Sequence, residues 1–233
     1  MKISLAILAV VGLAFAGAAS AASIEATTVS VGGVSAALLK GAHPHGGIVL
    51  LAGGDGRIGV GADGSIAREG NQLVRTRAAY AARGFAVLVP DCCADVAAAV
   101  DYMRQFGHVT LVGTSRGTQR AAHGIAAGAR PDRLVLTSGF LSDASGDGDN
   151  AVNTLGSPAA LPLTLVVHHR HDGCGKTRPE GVKPFLDWAG AKARVVWLDG
   201  GEDEGNPCEA EAHHGFNGLD GQVVSAVAGF AAR

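Results

Sequence analysis

The feature that most constrains this chain is a regular alternation of two patterns. Apolar runs of strand length recur at 48–52, 85–89, 109–112, 134–137, 163–167 and 193–198. Runs that are apolar throughout, rather than at every second residue, mark strands covered on both faces. Between most of them lie stretches whose apolar residues have helical spacing, at 71–83, 95–106, 118–129 and 182–189, with another at 219–232. Strands alternating with helices predict a mostly parallel sheet wrapped by helices on both sides. Ahead of this pattern, two alternating stretches at 28–31 and 34–39, split by Gly32-Gly33, predict an antiparallel hairpin.

In a parallel sheet with right-handed crossovers, the loops that follow the strands gather at one edge, and ligands bind there. Those loops carry "AGGDGRIGVGADG", "PDCCAD", "GTSRG", "SGFLSDASGDGDN", "HHRHDGCGK" and "DGGEDEGNPCEAEAHHGFNG" in turn. The stretch 139–158 is rich in Gly, Ser and Asp, which predicts a non-helical excursion too short and polar for a second domain. A minimal cap over an open site follows.

Residues 1–21 read as a secretory signal peptide: one lysine, an apolar core too short for a comfortable membrane span, then the small residues Ala19-Ser20-Ala21. An uncleaved anchor is the alternative, and either exports the chain. Residues 22–233 then form one domain, with a periplasmic or secreted location and no membrane insertion after cleavage. The formal net charge is −2 and no basic block occurs, which argues against nucleic acid or an anionic membrane surface and for a small-molecule substrate. Four cysteines, Cys92, Cys93, Cys174 and Cys208, in an exported chain suggest disulfides. Of three pairings, Cys174 with Cys208 is favoured, because their loops share the sheet edge. Cys92 and Cys93 then read as two small buried thiols, with a vicinal disulfide or a metal as alternatives.

"GTSRG" carries the chemistry. It matches Gly-x-Ser-x-Gly with a strand before it and a helix after it, the context in which a sharp turn lifts a serine hydroxyl above the sheet. A serine hydroxyl is a poor nucleophile without a histidine base and a carboxylate to orient that base. The fifth loop supplies Asp172 and the sixth His213 and His214. The order Ser115, Asp172, His214 is that of the α/β-hydrolase arrangement, and the chain resembles that superfamily over nearly all of residues 22–233.

More narrowly, "GTSRGT", "VVHHRHDGC" and "CEAEAHHGF" are similar to small exported bacterial serine hydrolases. The resemblance implies Ser115 as nucleophile, Asp172 as acid and His214 as base. His213 and Asp143 are the competing base and acid. Gly215 after His214 permits a close turn and favours His214. His168, His169 and His171 raise a metal site, but neighbours on a strand face opposite ways, so packing is the better reading. Oxyanion donors are expected at the amides of Arg116, Gly54 and Asp55. The Gly-rich loop lacks the Gly-Lys-Ser/Thr ending of a phosphate loop, and no motif calls for a cofactor or metal.

The leading expectation is a carboxylesterase acting through an acyl-enzyme. Amidase or peptidase chemistry would use the same triad, and a non-catalytic small-ligand-binding module could use the same scaffold.

Overall fold

The computed structural model describes residues 24–233; the signal peptide expected at 1–21 lies outside the described residues. In chain order the elements are β1 (Glu25–Val31), β2 (Val34–Lys40), β3 (Gly47–Leu51), α1 (Gln72–Arg75), α2 (Arg77–Ala81), β4 (Ala86–Pro90), α3 (Val96–Met103) and β5 (Val109–Thr114). Then follow α4 (Arg116–Ala126), β6 (Arg133–Thr137), α5 (Ala151–Leu155), β7 (Leu163–His169), α6 (Val182–Ala189), β8 (Ala193–Leu198) and α7 (Asp220–Ala231).

One eight-stranded sheet runs in the order β1-β2-β4-β3-β5-β6-β7-β8. β1 and β2 form the antiparallel hairpin, turning at Gly32-Gly33, and β2 pairs antiparallel with β4; every other pairing is parallel. The apolar runs lie where the sheet needs them. All five residues of β4 are buried, with Val87 and Val89 packed toward α2 and α7 and Ala86 and Leu88 toward α3 and α4. Each fully buried Val or Leu contributes about 1.5–3 kcal/mol relative to exposure, so a polar residue on either face of this strand would be costly.

β3 sits between β4 and β5, so the chain leaves β3 in one direction and returns to its other side. That reversal is a topological switch point, where the loops after the two flanking strands part and leave a crevice. Here the two loops are the Gly-rich segment after β3 and the turn bearing Ser115 after β5.

Two expectations change. The helix expected at 71–83 is broken at Thr76, whose hydroxyl donates to Gln72 O (2.7 Å) and whose backbone flattens to φ −96°, ψ 0°. The stretch 139–158 does contain a helix, α5, begun by the Asn150 side chain accepting from Asn153 N (3.1 Å). Only Ala151 of α5 is buried, so no apolar spacing announced it. Among the described residues no helix is long and apolar enough to cross a membrane.

Candidate active site

β5 ends at Thr114 and α4 begins at Arg116, leaving a single residue to make the corner. Ser115 makes it with φ 51° and ψ −125°, a region costing a non-glycine residue of order 1–3 kcal/mol. Its N–H donates to Thr137 O (3.0 Å), and its carbonyl accepts from Thr118 N (2.9 Å) and the Thr118 hydroxyl (2.6 Å). The flanking glycines are demanded by space. A Cβ on Gly113 would stand 2.5 Å from Gly117 O, and one on Gly117 would run into the Leu51 carbonyl. Strand, helix and the end of β3 are therefore packed backbone to backbone around Ser115.

Asp172 and His214 approach from the loops after β7 and β8. Asp172 is buried at 5% exposure, and its two carboxylate oxygens are both engaged. Oδ1 accepts from Cys174 N (2.9 Å), while Oδ2 lies 3.0 Å from His214 Nδ1 and 3.1 Å from the Thr177 hydroxyl. His214 sits in the 3-10 turn His213–Gly215. The Ser138 hydroxyl holds its carbonyl (2.7 Å), and Arg75 donates to the next carbonyl, that of Gly215 (2.8 Å). The same guanidinium forms a two-pronged pair with Asp220 at the start of α7 (2.9 Å on each oxygen). A disulfide between Cys174 and Cys208 ties the two loops together.

A cavity of about 630 Å³ opens at this edge of the sheet, and Ser115, His214, Gly53, Gly54, Asp55 and Arg116 are among the residues lining it. Asp172 stands behind His214 rather than on the wall. Among the described residues no hydrogen bond joins the Ser115 hydroxyl to His214; such contacts often tighten only around a substrate.

The Gly-rich loop lies beside Ser115 on the cavity wall. Gly56 N donates to Gly53 O (3.1 Å) to close a turn, and Arg120 from α4 reaches the carbonyls of Ala52 and Gly54. Asp91 accepts from the amides of Cys92 (2.8 Å), Ile58 (2.9 Å) and Val60 (3.3 Å). Burial pushes the Asp91 carboxyl up, but these amide hydrogen bonds together outweigh it and hold the group below the ordinary carboxylate range. The amides of Gly54 and Asp55 donate to nothing among the described residues, and Arg116 N is one of the unsatisfied first amides of α4. Gly53, which sequence reading passed over, is the residue that abuts the serine. A Cβ there would lie 3.2 Å from Ser115 Cβ and 3.1 Å from Asn71 Nδ2. Its signal was available as the first glycine after β3.

The competing residues lie elsewhere. His213 stacks on His169 at 4.1 Å and turns Nδ1 toward His171 O (3.3 Å). Asp143 accepts from the side-chain amides of Asn150 and Asn153 (2.8 and 2.6 Å). His168 and His169 are buried, His169 bonding Gly200 O (2.9 Å), and burial pushes both imidazoles down in pKa. Among the described residues no three His, Cys, Asp or Glu side chains gather as a metal site. Cys92 and Cys93 are joined to each other rather than standing as two buried thiols, and Cys93 is exposed. Asp91 and Gly32 anchor this turn at the surface, where neither sulfur can be sealed in the core.

No protein-family model and no curated protein matches the chain. Solved structures do. A dienelactone hydrolase from Anabaena variabilis aligns with 91% of this chain and 95% of its own at TM-score 0.60 and 16% identity. An esterase/lipase from an uncultured bacterium aligns with 89% of this chain and 84% of its own at TM-score 0.57 and 16% identity. Identity this low speaks for shared architecture, which agrees with the mostly parallel sheet, its antiparallel edge hairpin and the helices on both faces. The chain has the α/β-hydrolase fold.

Proposed function

We propose that this chain is a serine hydrolase, a carboxylesterase for a small substrate, with Ser115 as nucleophile, His214 as base and Asp172 as the acid that orients the base. One observation carries the reading. A serine in a strained corner shares a cavity with a histidine whose Nδ1 lies 3.0 Å from a buried carboxylate, leaving Nε2 as the free nitrogen. The structural neighbours, an esterase/lipase and a dienelactone hydrolase, favour an ester over an amide.

In this mechanism His214 Nε2 takes the hydroxyl proton as Ser115 Oγ attacks the ester carbonyl. The carbonyl electron pair moves onto oxygen, and the amides of Arg116 with Gly54 or Asp55 receive it, at positions where preorganised donors are worth about 10²–10³-fold in rate each. Collapse expels the alcohol, protonated by the imidazolium. Water, deprotonated by the same nitrogen, then attacks the acyl-enzyme, releasing the acid and restoring Ser115. Export of the chain, with residues 1–21 as its signal, fits the Cys174–Cys208 bridge, since disulfides persist in oxidising compartments.

The test is labelling with a fluorophosphonate, followed by peptide mass spectrometry, alongside turnover of p-nitrophenyl esters and the matching anilides. A single adduct on Ser115, absent in Ser115→Ala and His214→Ala, with esters turned over at least ~10³-fold faster than by either variant, is expected. A folded protein that takes no label overturns the reading in favour of a binding module, and anilide turnover above ester turnover replaces the esterase by an amidase.

A further inference from the structure

Thr177 lies in the loop after β7, five residues beyond Asp172, with its side chain fully buried. Its hydroxyl oxygen stands 3.1 Å from Asp172 Oδ2 and 3.0 Å from His214 Nδ1, two atoms that are themselves 3.0 Å apart. Three polar atoms thus close a triangle away from solvent.

The protons in that triangle can be assigned. A hydroxyl has one proton to give and lone pairs to offer, and an ionised carboxylate can only accept. If Thr177 gave its proton to His214 Nδ1, that nitrogen and Asp172 Oδ2 would face each other at 3.0 Å as two acceptors. The arrangement is satisfied when Thr177 donates to Asp172 Oδ2 and the His214 Nδ1–H is shared between the carboxylate and the hydroxyl oxygen. The proton then stays on Nδ1, and Nε2 is the free base. The other carboxylate oxygen is already taken by Cys174 N, so Thr177 completes the fixation of Asp172 at both oxygens. His168, the remaining group against the acid, has Nε2 4.0 Å from Oδ2 and no hydrogen-bond partner for it. Thr177 is itself placed by the turn that carries the disulfide, its N–H donating to Cys174 O (3.1 Å).

We propose that Thr177 is a positioning residue of the site, its hydroxyl orienting the Asp172 carboxylate and holding the His214 proton on Nδ1. The inference rests on the hydrolase reading above. Replacing the hydroxyl by a methyl keeps the volume and removes one hydrogen bond to a charged group, which corresponds to about tenfold in rate.

The experiment compares wild type, Thr177→Val and Thr177→Ser for p-nitrophenyl acetate hydrolysis, fluorophosphonate labelling and the low-field proton spectrum, in which a hydrogen-bonded histidine N–H is seen. Thr177→Val is expected to lower kcat about tenfold with KM little changed, and to move the His214 Nδ1 proton resonance; Thr177→Ser is expected to restore both. If Thr177→Val does not fold, Thr177→Ala against Thr177→Ser carries the same contrast. Wild-type kcat with an unmoved resonance in the hydroxyl-less variant overturns the proposal, as does a serine variant no better than valine. A wild type that takes no label on Ser115 overturns the hydrolase reading and the proposal with it, so the two failures are distinguishable.

Discussion

On the His214 side of the cavity the chain is held by side chains that arrive from distant parts of the sequence: Arg75 from α1, Ser138 from the end of β6, Thr177 and the Cys174–Cys208 bridge. On the Gly54 side the wall is backbone, a glycine turn whose Gly54 and Asp55 amides have no partner among the described residues, while Asp91 and Arg120 hold its far edge. The contrast matches what each wall would have to do in the proposed mechanism. A base that changes charge needs its carboxylate and tautomer fixed out of water, which takes buried side-chain hydrogen bonds. A developing oxyanion needs N–H dipoles aimed at one point, and a peptide backbone without side chains supplies them most compactly.

Separate variants can break each wall. The largest effect is expected from removing the bridge. The paired cysteines are 34 residues apart, and loop closure of that length is worth about 3–4 kcal/mol in the chain-entropy account. Cys174→Ser with Cys208→Ser should lower the urea midpoint accordingly while the protein that remains folded still hydrolyses ester; loss of activity at full stability would mean that the bridge sets geometry rather than stability.

A smaller change is expected from Arg75→Met, which strips the donor from Gly215 O and the partner from Asp220. Asp220 is 40% exposed, so solvent screens the pair, and the loss should be about 1–2 kcal/mol. Because Gly215 directly follows His214, the proposed base, kcat should also fall severalfold, read from steady-state kinetics below the melting range. An unchanged kcat would show that Ser138 and Thr177 suffice to hold His214.

The smallest effect belongs to the other wall and depends on pH. The folded Asp91 carboxyl lies below its unfolded value of about 3.9. Its contribution is therefore full above that value and is lost as pH falls through the folded one. Asp91→Asn should lower Tm modestly at pH 6, and that deficit should shrink as pH falls below the ordinary carboxylate range. A Tm difference that does not vary with pH would rule out the carboxylate as the anchor of the Gly-rich loop.

Much of the candidate site is legible in the sequence. Ser115 stood between glycines at a strand-to-helix corner, and Asp172 and His214 occupied the loops a sheet of this type brings to the same edge. Gly54, Asp55 and Arg116 also line the cavity. Gly53 and Thr177 were missed for different reasons. Gly53 was masked by its neighbours in a run where every residue can turn, whereas Thr177 carries no periodicity or motif of its own and acquires meaning only from the two atoms its hydroxyl meets. The pairing of Cys92 with Cys93 depended on whether the turn after β4 was buried, and it is at the surface.

The strands, most of the helices and the Ser115 corner follow from local sequence, because burial period, glycine and turn chemistry act within a few residues. Which side chains brace His214 is legible in the three-dimensional fold alone. Ser138 reaches His214 across 76 positions and Arg75 reaches Asp220 across 145. Such partners are chosen by the order of strands in the sheet and the crossing of helices over it, and no local pattern records that choice.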